Sequence, residues 1–238
     1  MSSLGDRMKG YENVWKDKLI ERMPVIIRID GKAFHTYTRR FDEPFDNELH
    51  NAMIETSKYL CENIQGCRLA YTQSDEISLL LTDYERYNTE AWFNKDVQKM
   101  VSVSASYATV KFNEIMRDYD INELAQFDSR VFNLSKDEVC NYFIWRQQDA
   151  VRNSVRMLGR SYFSHSDLEN KSNSEVQDML MDKYNVNWND LDIWKKRGSC
   201  VVKKDLEVIK EWRKDEEIPI FSKNRDYINS RVYIAKDK

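Results

Sequence analysis

Short runs of β-branched and apolar residues recur along the first 135 positions, and each run ends at polar or turn-forming residues. Val, Ile and aromatic side chains in such runs are typical of buried strands. The polar stretch 73–76 separates two of the runs so closely that it indicates a hairpin turn. The pattern therefore predicts four strands, at 25–29, 67–72, 77–81 and 127–134.

Other segments carry apolar residues three or four positions apart, which is the spacing of one helix face. Ser135 is followed three residues later by Glu138, the signature of a capping box at a helix start. Ser174 is a candidate cap for a later, shorter helix. The spacing predicts helices over 4–23, 46–64, 92–117, 135–157 and 174–184.

The predicted order is strand–helix–strand–strand–helix–strand, which is that of a ferredoxin-like split β-α-β unit. We therefore expect an α+β fold, an antiparallel sheet with helices on one face, followed by further helices and strands. Two short apolar runs, 218–221 and 232–234, are candidates for late strands. The expected organisation is a catalytic core over 1–135 and a mixed C-terminal region over 136–238 packed on it as one compact unit.

Composition narrows the classes of protein that fit. The chain has 238 residues, 41% hydrophobic and 32% charged, with a net charge of −3, so no global basic field indicates a protein that coats nucleic acid. Four cysteines without CxxC spacing and only three histidines argue against a zinc site and favour free thiols in the cytoplasm. No apolar run approaches membrane length.

Carboxylates follow two of the predicted strands directly. Asp30 and Gly31 end the first strand, and Asp75 and Glu76 lie in the turn between the next two. In a split sheet these two places are neighbours, so the carboxylates can face one another. Mg²⁺ prefers such oxygen ligands, supplemented by phosphate and water. The sequence predicts one site for two Mg²⁺ ions suited to phosphoryl transfer, with Asp30 and Asp75 as ligands, the Gly31 carbonyl as a further ligand, and Glu76 as a supporting group.

The residues after Gly31 have two interpretations. Backbone N–H groups at Lys32, Ala33, Phe34 and His35 can grip a triphosphate, with the Phe34 ring stacked on a base. Alternatively, the Phe34 ring belongs to the core and His35 is an ordinary loop residue. Ser74 can either bind a phosphate or shape the turn.

Three motifs together resemble the tRNA-His guanylyltransferase family. They are Arg-Ile-Asp-Gly-Lys-Ala-Phe-His at 28–35, Tyr-Thr-Gln-Ser-Asp-Glu at 71–76 and Tyr-Phe-Ile-Trp-Arg-Gln-Gln-Asp at 142–149. They occur in order and at similar spacing over most of the first 160 residues. Lys196, Arg197 and Gly198 are similar to the basic segment that the family carries later in the chain.

The resemblance implies a polymerase-like palm that uses two Mg²⁺ ions, with GTP and ATP as substrates, to add nucleotides to the 5′ end of tRNA. It implies Asp30, Asp75 and Glu76 as catalytic residues, with Asp30, Gly31 and Asp75 holding metal. Residues 30–35, Ser74 and Asp75 would bind the nucleotide. Contacts to substrate or tRNA are implied for Asp46, Lys99, Arg130 and Asn153. Arg152, four residues before Arg156 on one helix face, is a further candidate, as are Lys196 and Arg197. Family members are usually homotetramers.

Three positions depart from the family pattern. Val151 stands where the eukaryotic enzymes have a His, Glu43 where a Lys is expected, and Asp96 where the family tends to be basic. These departures favour the bacterial and archaeal branch, which repairs 5′-truncated tRNAs by template-dependent addition in the 3′-to-5′ direction. The alternatives are a tRNA-His-specific enzyme that adds one G, a palm-type nucleotide cyclase, and a non-catalytic RNA-binding module.

Overall fold

The computed structural model describes residues 3–205 and 210–234. Six strands are present in this part of the chain: β1 Val25–Gly31, β2 Cys67–Gln73, β3 Glu76–Leu81, β4 Phe127–Asn133, β5 Ser199–Asp205 and β6 Lys210–Asp215. The helices are α1 Leu4–Asn13, α2 Phe34–Tyr37, α3 Asn47–Asn63, α4 Val97–Asp118, α5 Lys136–Tyr162, α6 His165–Leu168, α7 Asn173–Tyr184, α8 Ile193–Arg197 and α9 Asp226–Val232.

The strands form one antiparallel sheet in the order β4-β1-β3-β2-β5-β6. Its first four strands, with α3 and α4, reproduce the split β-α-β unit, so the α+β prediction is confirmed. β5 and β6 come from the C-terminal region and extend the same sheet beyond β2. The division at residue 135 stays a prediction, although the sheet itself continues across it.

Alternation along β1 directs its side chains to opposite faces of the sheet. Ile27 and Ile29 join the core formed with α3 and α4, which includes Met53 and Phe112. Ile26 instead joins a second core on the other face, packed against α5 and α9. The two predicted helices thus cover one face, and the C-terminal helices cover much of the other.

Several predicted element boundaries were wrong. The first helix ends at Asn13 rather than continuing to residue 23. Ser135 precedes α5 but makes no side-chain capping bond, and α7 is capped by Ser172 instead of Ser174. Ile218 and Phe221 lie in irregular chain and are fully buried in the second core. The apolar run at 218–221 is therefore a buried loop and not a strand. The run at 232–234 is not a strand either, because it begins at Val232, the last residue of α9.

The helix predicted from residue 92 is broken before α4 starts. Phe93, Asn94 and Lys95 all have positive φ, near 49–57°. The turn directs Lys95 inward, where its Nζ donates to the carbonyls of Ile20 (2.6 Å) and Met23 (3.1 Å). The same ammonium lies 2.9 Å from Oδ2 of Asp83, and both side chains are almost fully buried. A fully bonded buried lysine thus fixes the chain that leads into β1.

We expect Lys95→Met to lower the free energy of unfolding by about 3 kcal/mol, because it leaves Asp83 buried without its cation. Chemical denaturation measures this loss. Lys111→Met, which removes a lysine paired with an exposed Glu114, is the control and should cost less than about 0.5 kcal/mol. Equal losses in the two variants would contradict the proposed importance of the buried pair.

Candidate active site

Asp30 lies near the end of β1, where three strands bring carboxylates together. In the sheet register it pairs with Glu76 of β3 on one side and with Asp128 of β4 on the other. The next residue, Gly31, donates its backbone N–H to the carbonyl of Asp75 at 3.1 Å. By the alternation along β1, the Asp30 side chain is on the α5 face, opposite α3 and α4. The structure therefore brings Asp30, Gly31, Asp75 and Glu76 to one end of the sheet, as the sequence predicted.

Asp75 is presented by a two-residue hairpin turn. Gln73 and Glu76 are paired residues of β2 and β3, so only Ser74 and Asp75 lie between the strands. Ser74 has a positive φ of 50°, and its hydroxyl donates to Oδ1 of Asp75 at 3.0 Å. The turn thus leaves Ser74 exposed and Asp75 half-buried, with the Ser74 hydroxyl orienting the Asp75 carboxylate.

Burial raises the pKa of the Asp75 carboxyl from 3.8 to about 6. Hydrogen bonds from the backbone and from Ser74 oppose this rise, and the charges of Asp30 and Glu76 add to it. The main cause is the loss of hydration of the ionised carboxylate on burial, and repulsion by the neighbouring carboxylates adds to it. A site with this surplus of negative charge favours the binding of a cation.

Both oxygens of Glu76 are already held by Arg146 of α5. Arg146 Nε donates to Oε1 at 2.7 Å and Nη2 donates to Oε2 at 2.5 Å, with both residues 6% exposed. Burial raises the pKa of Glu76, and the hydrogen bonds and charge of Arg146 oppose this rise. The sequence motif at 142–149 contained Arg146, but no role was predicted for it. The sequence held one signal for such a role: Arg146 is an arginine within a mostly apolar helix face, where a buried cation needs a partner.

Gly31 is required by the position of the Phe34 ring. A Cβ built on Gly31 would lie 2.2 Å from the ring, so no larger residue fits without displacing Phe34. That ring is buried against Phe112 and Phe127. Base stacking by the Phe34 side chain is therefore wrong, and the alternative assignment to the core is correct.

The remaining residues of this segment differ in what they offer a ligand. The Lys32 backbone N–H is already bonded to the Gln126 carbonyl at 2.8 Å, and its Nζ donates to Gln126 Oε1. Ala33 has a positive φ of 55° at the start of α2. His35 is exposed and lies beside the Thr36 hydroxyl. The Lys32 amide is therefore not available to a triphosphate, and only the backbone amides after Lys32 remain candidates for binding it.

A cavity of about 260 Å³ opens beside the hairpin turn. It is lined by Gln73 and Ser74 from the turn, by Asp46 before α3, and by Asn153 of α5. Asp46 also has a structural role, because it accepts from the backbone N–H groups of Leu49 and Asp42. Of the predicted substrate contacts, Asp46 and Asn153 are thus brought close to the candidate site.

α8 closes the cavity from the side of the C-terminal region. Lys195 and Gly198 line it, and Gly198 has a positive φ of 76°. A Cβ on Gly198 would lie 2.6 Å from the Thr72 carbonyl, so a glycine is needed for this close approach. Lys196 and Arg197 use their side chains internally, since they donate to the carbonyls of Asn189 and Ile218. Both are half-buried rather than freely exposed.

The other predicted cations lie on exposed surfaces. Lys99 is in the first turn of α4, and Arg130 on β4 lies 3.5 Å from Asp128. Arg152 pairs with Asp149 at 2.8 Å. Arg156, however, donates to the carbonyls of Leu168 and Lys171, so the pair Arg152 and Arg156 is not a continuous cationic strip.

No three side chains of His, Cys, Asp or Glu converge as metal ligands in residues 3–205 and 210–234. The donor set is smaller: the Asp30 and Asp75 carboxylates with the Gly31 carbonyl beside them. This set fits Mg²⁺, which takes few protein ligands and completes its shell with phosphate oxygens and water. The same part of the chain has no helix with the length and hydropathy to cross a bilayer, and its four cysteines are unpaired.

An antiparallel palm-like sheet that carries a carboxylate pair at its hairpin end, beside a cavity, is the arrangement expected of palm-type enzymes that transfer phosphoryl or nucleotidyl groups. Residues 5–135 match the model of the tRNA-His guanylyltransferase family. The chain belongs to this family and is a nucleotidyltransferase.

Two solved structures are similar over nearly the whole chain. A bacterial tRNA(His) guanylyltransferase (Thg1)-like protein in complex with ATP is 52% identical, with a TM-score of 0.94 over 98% of this chain and 100% of that one. The same kind of bacterial protein in complex with GTP is 50% identical, with a TM-score of 0.88 and the same coverage. A probable tRNA(His) guanylyltransferase of Dictyostelium discoideum is 25% identical over 217 residues, 84% of this chain and 82% of the relative.

The raised pKa of Asp75 predicts a stability cost. The folded protein holds the Asp75 proton more tightly than the unfolded chain, so stability falls as the pH rises from about 4 to 6. Above pH 6, without Mg²⁺, the cost is about 1–2 kcal/mol after allowance for solvent screening. We expect Asp75→Asn to be more stable than the parent protein by this amount at pH 7.5, with the difference vanishing near pH 4.

Thermal denaturation in EDTA at both pH values measures the effect. Asp128→Asn is the matched control, because Asp128 lies on the same sheet face but is exposed, and should change the stability by less than about 0.5 kcal/mol. An Asp75→Asn protein no more stable than its parent at pH 7.5 would show that the carboxylate is not destabilised by its surroundings.

Proposed function

We propose that this protein adds nucleotides to the 5′ end of tRNA in the 3′-to-5′ direction, each matched to the opposing base, and thereby repairs 5′-truncated tRNAs. The observation that carries the proposal is the carboxylate pair Asp30 and Asp75, presented at the hairpin end of a palm-like sheet next to a cavity. The similarity to bacterial proteins solved with ATP and with GTP supports nucleotide substrates.

The carboxylate site has a cation-binding role in this proposal. Asp30, Asp75 and the Gly31 carbonyl would hold two Mg²⁺ ions, which when bound neutralise phosphate charge and favour ionisation of an attacking hydroxyl. Ser74 orients the Asp75 carboxylate through its 3.0 Å hydrogen bond. In the family chemistry, a 5′-monophosphate end is first adenylylated by ATP, with release of pyrophosphate. The 3′-hydroxyl of the incoming nucleotide then attacks the 5′ phosphate of the RNA and AMP leaves, or pyrophosphate leaves where the end already carries a triphosphate.

The cavity is the proposed place for the nucleotide. It adjoins Ser74 and is lined by Asp46 and Asn153, two residues for which the family resemblance implies substrate contact. The chain from Lys32 to His35 approaches the same end of the sheet from β1, and we propose that amides after Lys32 bind the triphosphate.

The proposed RNA contacts are cations on the outer surface. Lys99, Arg130 and Arg152 are exposed. Lys196 and Arg197 of α8 are proposed as further contacts, which requires each to exchange its present bond to a backbone carbonyl for one to an RNA phosphate. Contacts of this kind bind the phosphate backbone and make activity fall as salt rises. Val151 on α5, where the eukaryotic family members have a His, is the basis for expecting weak preference for tRNA-His.

The test uses purified protein, Mg²⁺ and labelled nucleotides with a tRNA lacking its first nucleotide, beside full-length tRNA-His. We expect the truncated tRNA to be extended by the nucleotide complementary to the opposing base. Asp30→Ala and Asp75→Ala should each reduce the rate at least about 1,000-fold, because loss of several kcal/mol of charge stabilisation corresponds to that factor. Their circular dichroism spectra should match the parent protein.

Each contrary outcome has a distinct meaning. A single G added only to tRNA-His would replace repair with tRNA-His-specific guanylylation. Cyclic nucleotide formed from triphosphate without RNA would indicate a cyclase. RNA bound without any product, or full activity of Asp30→Ala, would refute the assignment of the site.

We propose that the protein is a homotetramer and that α1 contributes to the contact between copies. Leu4, Met8 and Tyr11 share one face of α1 and are 66%, 51% and 75% exposed. Trp15, two residues beyond the end of α1, is also 75% exposed. No residue of α1 is buried, so within residues 3–205 and 210–234 of a single chain nothing covers this apolar face. The location expected from the unpaired cysteines is the cytoplasm.

We expect Met8→Glu combined with Tyr11→Glu to reduce the assembly to dimers or monomers, because a carboxylate in an apolar contact loses its hydration. Sedimentation equilibrium measures the mass. Met181→Glu, at an exposed apolar position on α7, should leave the mass unchanged. An unchanged mass in the α1 variant would exclude this apolar face from the contact.

A further inference from the structure

Three carboxylates meet at the hairpin end of the sheet, but they are not equivalent. Asp75 and Glu76 are consecutive, and Glu76 pairs in register with Asp30. With all three ionised and free, the site would offer three mutually repelling ligands rather than two.

Arg146 distinguishes Glu76 from the other two. Its guanidinium forms two parallel hydrogen bonds, at 2.7 and 2.5 Å, to both oxygens of Glu76. Such fork-shaped pairing fixes the direction of the carboxylate as well as its charge. Glu76 also accepts a third hydrogen bond, from the Ser78 hydroxyl to Oε1 at 3.3 Å. The Ser78 hydroxyl is itself hydrogen-bonded to the hydroxyl of Tyr142.

The guanidinium is in turn fixed from its other sides. Asp149, one helical turn along α5, accepts a hydrogen bond from Nη2 of Arg146 at 3.0 Å. The ring of Trp145 lies against the guanidinium, 4.5 Å from its centre. Since Arg146 is buried and contacted on three sides, it acts as a rigid link from α5 to the first residue of β3.

We infer that Arg146 is a positioning residue of the nucleotidyl-transfer site: it keeps Glu76 out of the metal-ligand set and holds the hairpin turn so that Asp75 faces Asp30. This inference rests on the proposed function of that site. Arg146 itself contacts no reacting group. Its effect passes through Glu76 to the turn that presents Asp75.

Four variants test the inference: Arg146→Met, Arg146→Lys, Glu76→Gln and the double variant Glu76→Gln with Arg146→Met. Removing Arg146 frees the Glu76 carboxylate beside the site, so we expect kcat for nucleotide addition to fall about 100-fold, the scale of a ligand displaced by about 1 Å. KM for the truncated tRNA should change less than about threefold. A lysine supplies the positive charge but cannot form two parallel hydrogen bonds, so kcat of Arg146→Lys should lie between that of the parent protein and that of Arg146→Met.

The double variant separates positioning from mere stabilisation. Glu76→Gln removes the carboxylate that Arg146 restrains, so the double variant should regain about tenfold of the kcat lost in Arg146→Met. Binding of Mn²⁺ alone, followed by electron paramagnetic resonance, should be at least as tight in Arg146→Met as in the parent protein, because a third carboxylate becomes available.

Gln147→Leu is the matched control on the same helix. The Gln147 side chain donates to the Pro219 carbonyl at 3.0 Å and accepts from the Phe221 N–H at 2.8 Å. Its loss should lower Tm while leaving kcat and Mn²⁺ binding unchanged. A kcat loss in Arg146→Met no larger than in Gln147→Leu, weaker Mn²⁺ binding in Arg146→Met, or a double variant no faster than Arg146→Met would each overturn the inference.

Failure of the proposed function gives a different result. A parent protein that binds no Mn²⁺ and extends no truncated tRNA would refute the function assigned to the site, whatever the Arg146 variants do. A parent protein that does both, with Arg146→Met behaving identically, would refute only the role of Arg146.

Discussion

The antiparallel pairing of β1 with β3 is the constraint on which the candidate site depends. In this register Asp30 lies opposite Glu76, and Gly31 bonds to Asp75 one step further. Because strand side chains alternate, Ile27 and Ile29 enter the core under α3 and α4, so Asp30 must face the other way. A shift of one residue would turn Asp30 into the core under α3 and α4 and move the two isoleucines to the α5 face. The apolar core therefore determines where the carboxylates point.

Two buried ion pairs connect this sheet to the elements around it, and they act in different places. Lys95 and Asp83 join the loop before β1 to the chain after β3, at the end of the sheet away from the hairpin turn. Arg146 and Glu76 join α5 to the hairpin end. The Arg146–Glu76 pair has both carboxylate oxygens hydrogen-bonded, which is the condition under which buried charges are tolerated, whereas Oδ1 of Asp83 has no hydrogen-bond partner among the described residues. The first pair concerns folding, and the second lies beside the proposed chemistry.

The strands and long helices were predictable because their patterns are local. Alternation and apolar runs located β1 to β4, and helical spacing located α3 and α5, each within a few residues. β6 was not predicted, since Lys210–Asp215 is almost entirely charged and is stabilised by pairing with β5. The break before α4 was not predicted either, because it depends on the ion pair between Lys95 and Asp83, and a local sequence pattern does not show such a contact.

The carboxylates of the site could be predicted from the sequence, but the residues that pack against them and hold them in place could not. Asp30 and Asp75 each follow a strand, so the topology alone brings them together. Phe34 could be read as a stacking residue or as core, and only the packing of Phe112 and Phe127 decides for the core. The partner of Glu76 lies 70 residues away, at Arg146. Contacts at such separations are set by how α5 crosses the sheet, which sequence spacing does not specify.

The electrostatic arrangement of the site explains why it is stable enough to fold and yet suited to a cation. Glu76 is paired with Arg146, which offsets part of its charge, while the remaining effect of Glu76 still adds to the raised pKa of Asp75. Asp75, whose pKa is raised to about 6 by burial and by its neighbours, has no such partner among the described residues. The folded protein therefore holds an unfavourable charge at the position that a cation would neutralise, and binding of a cation there would stabilise the folded state. Because Arg146 pairs with Glu76 and not with Asp75, the same end of the sheet can both fold stably and present an unpaired carboxylate to a cation.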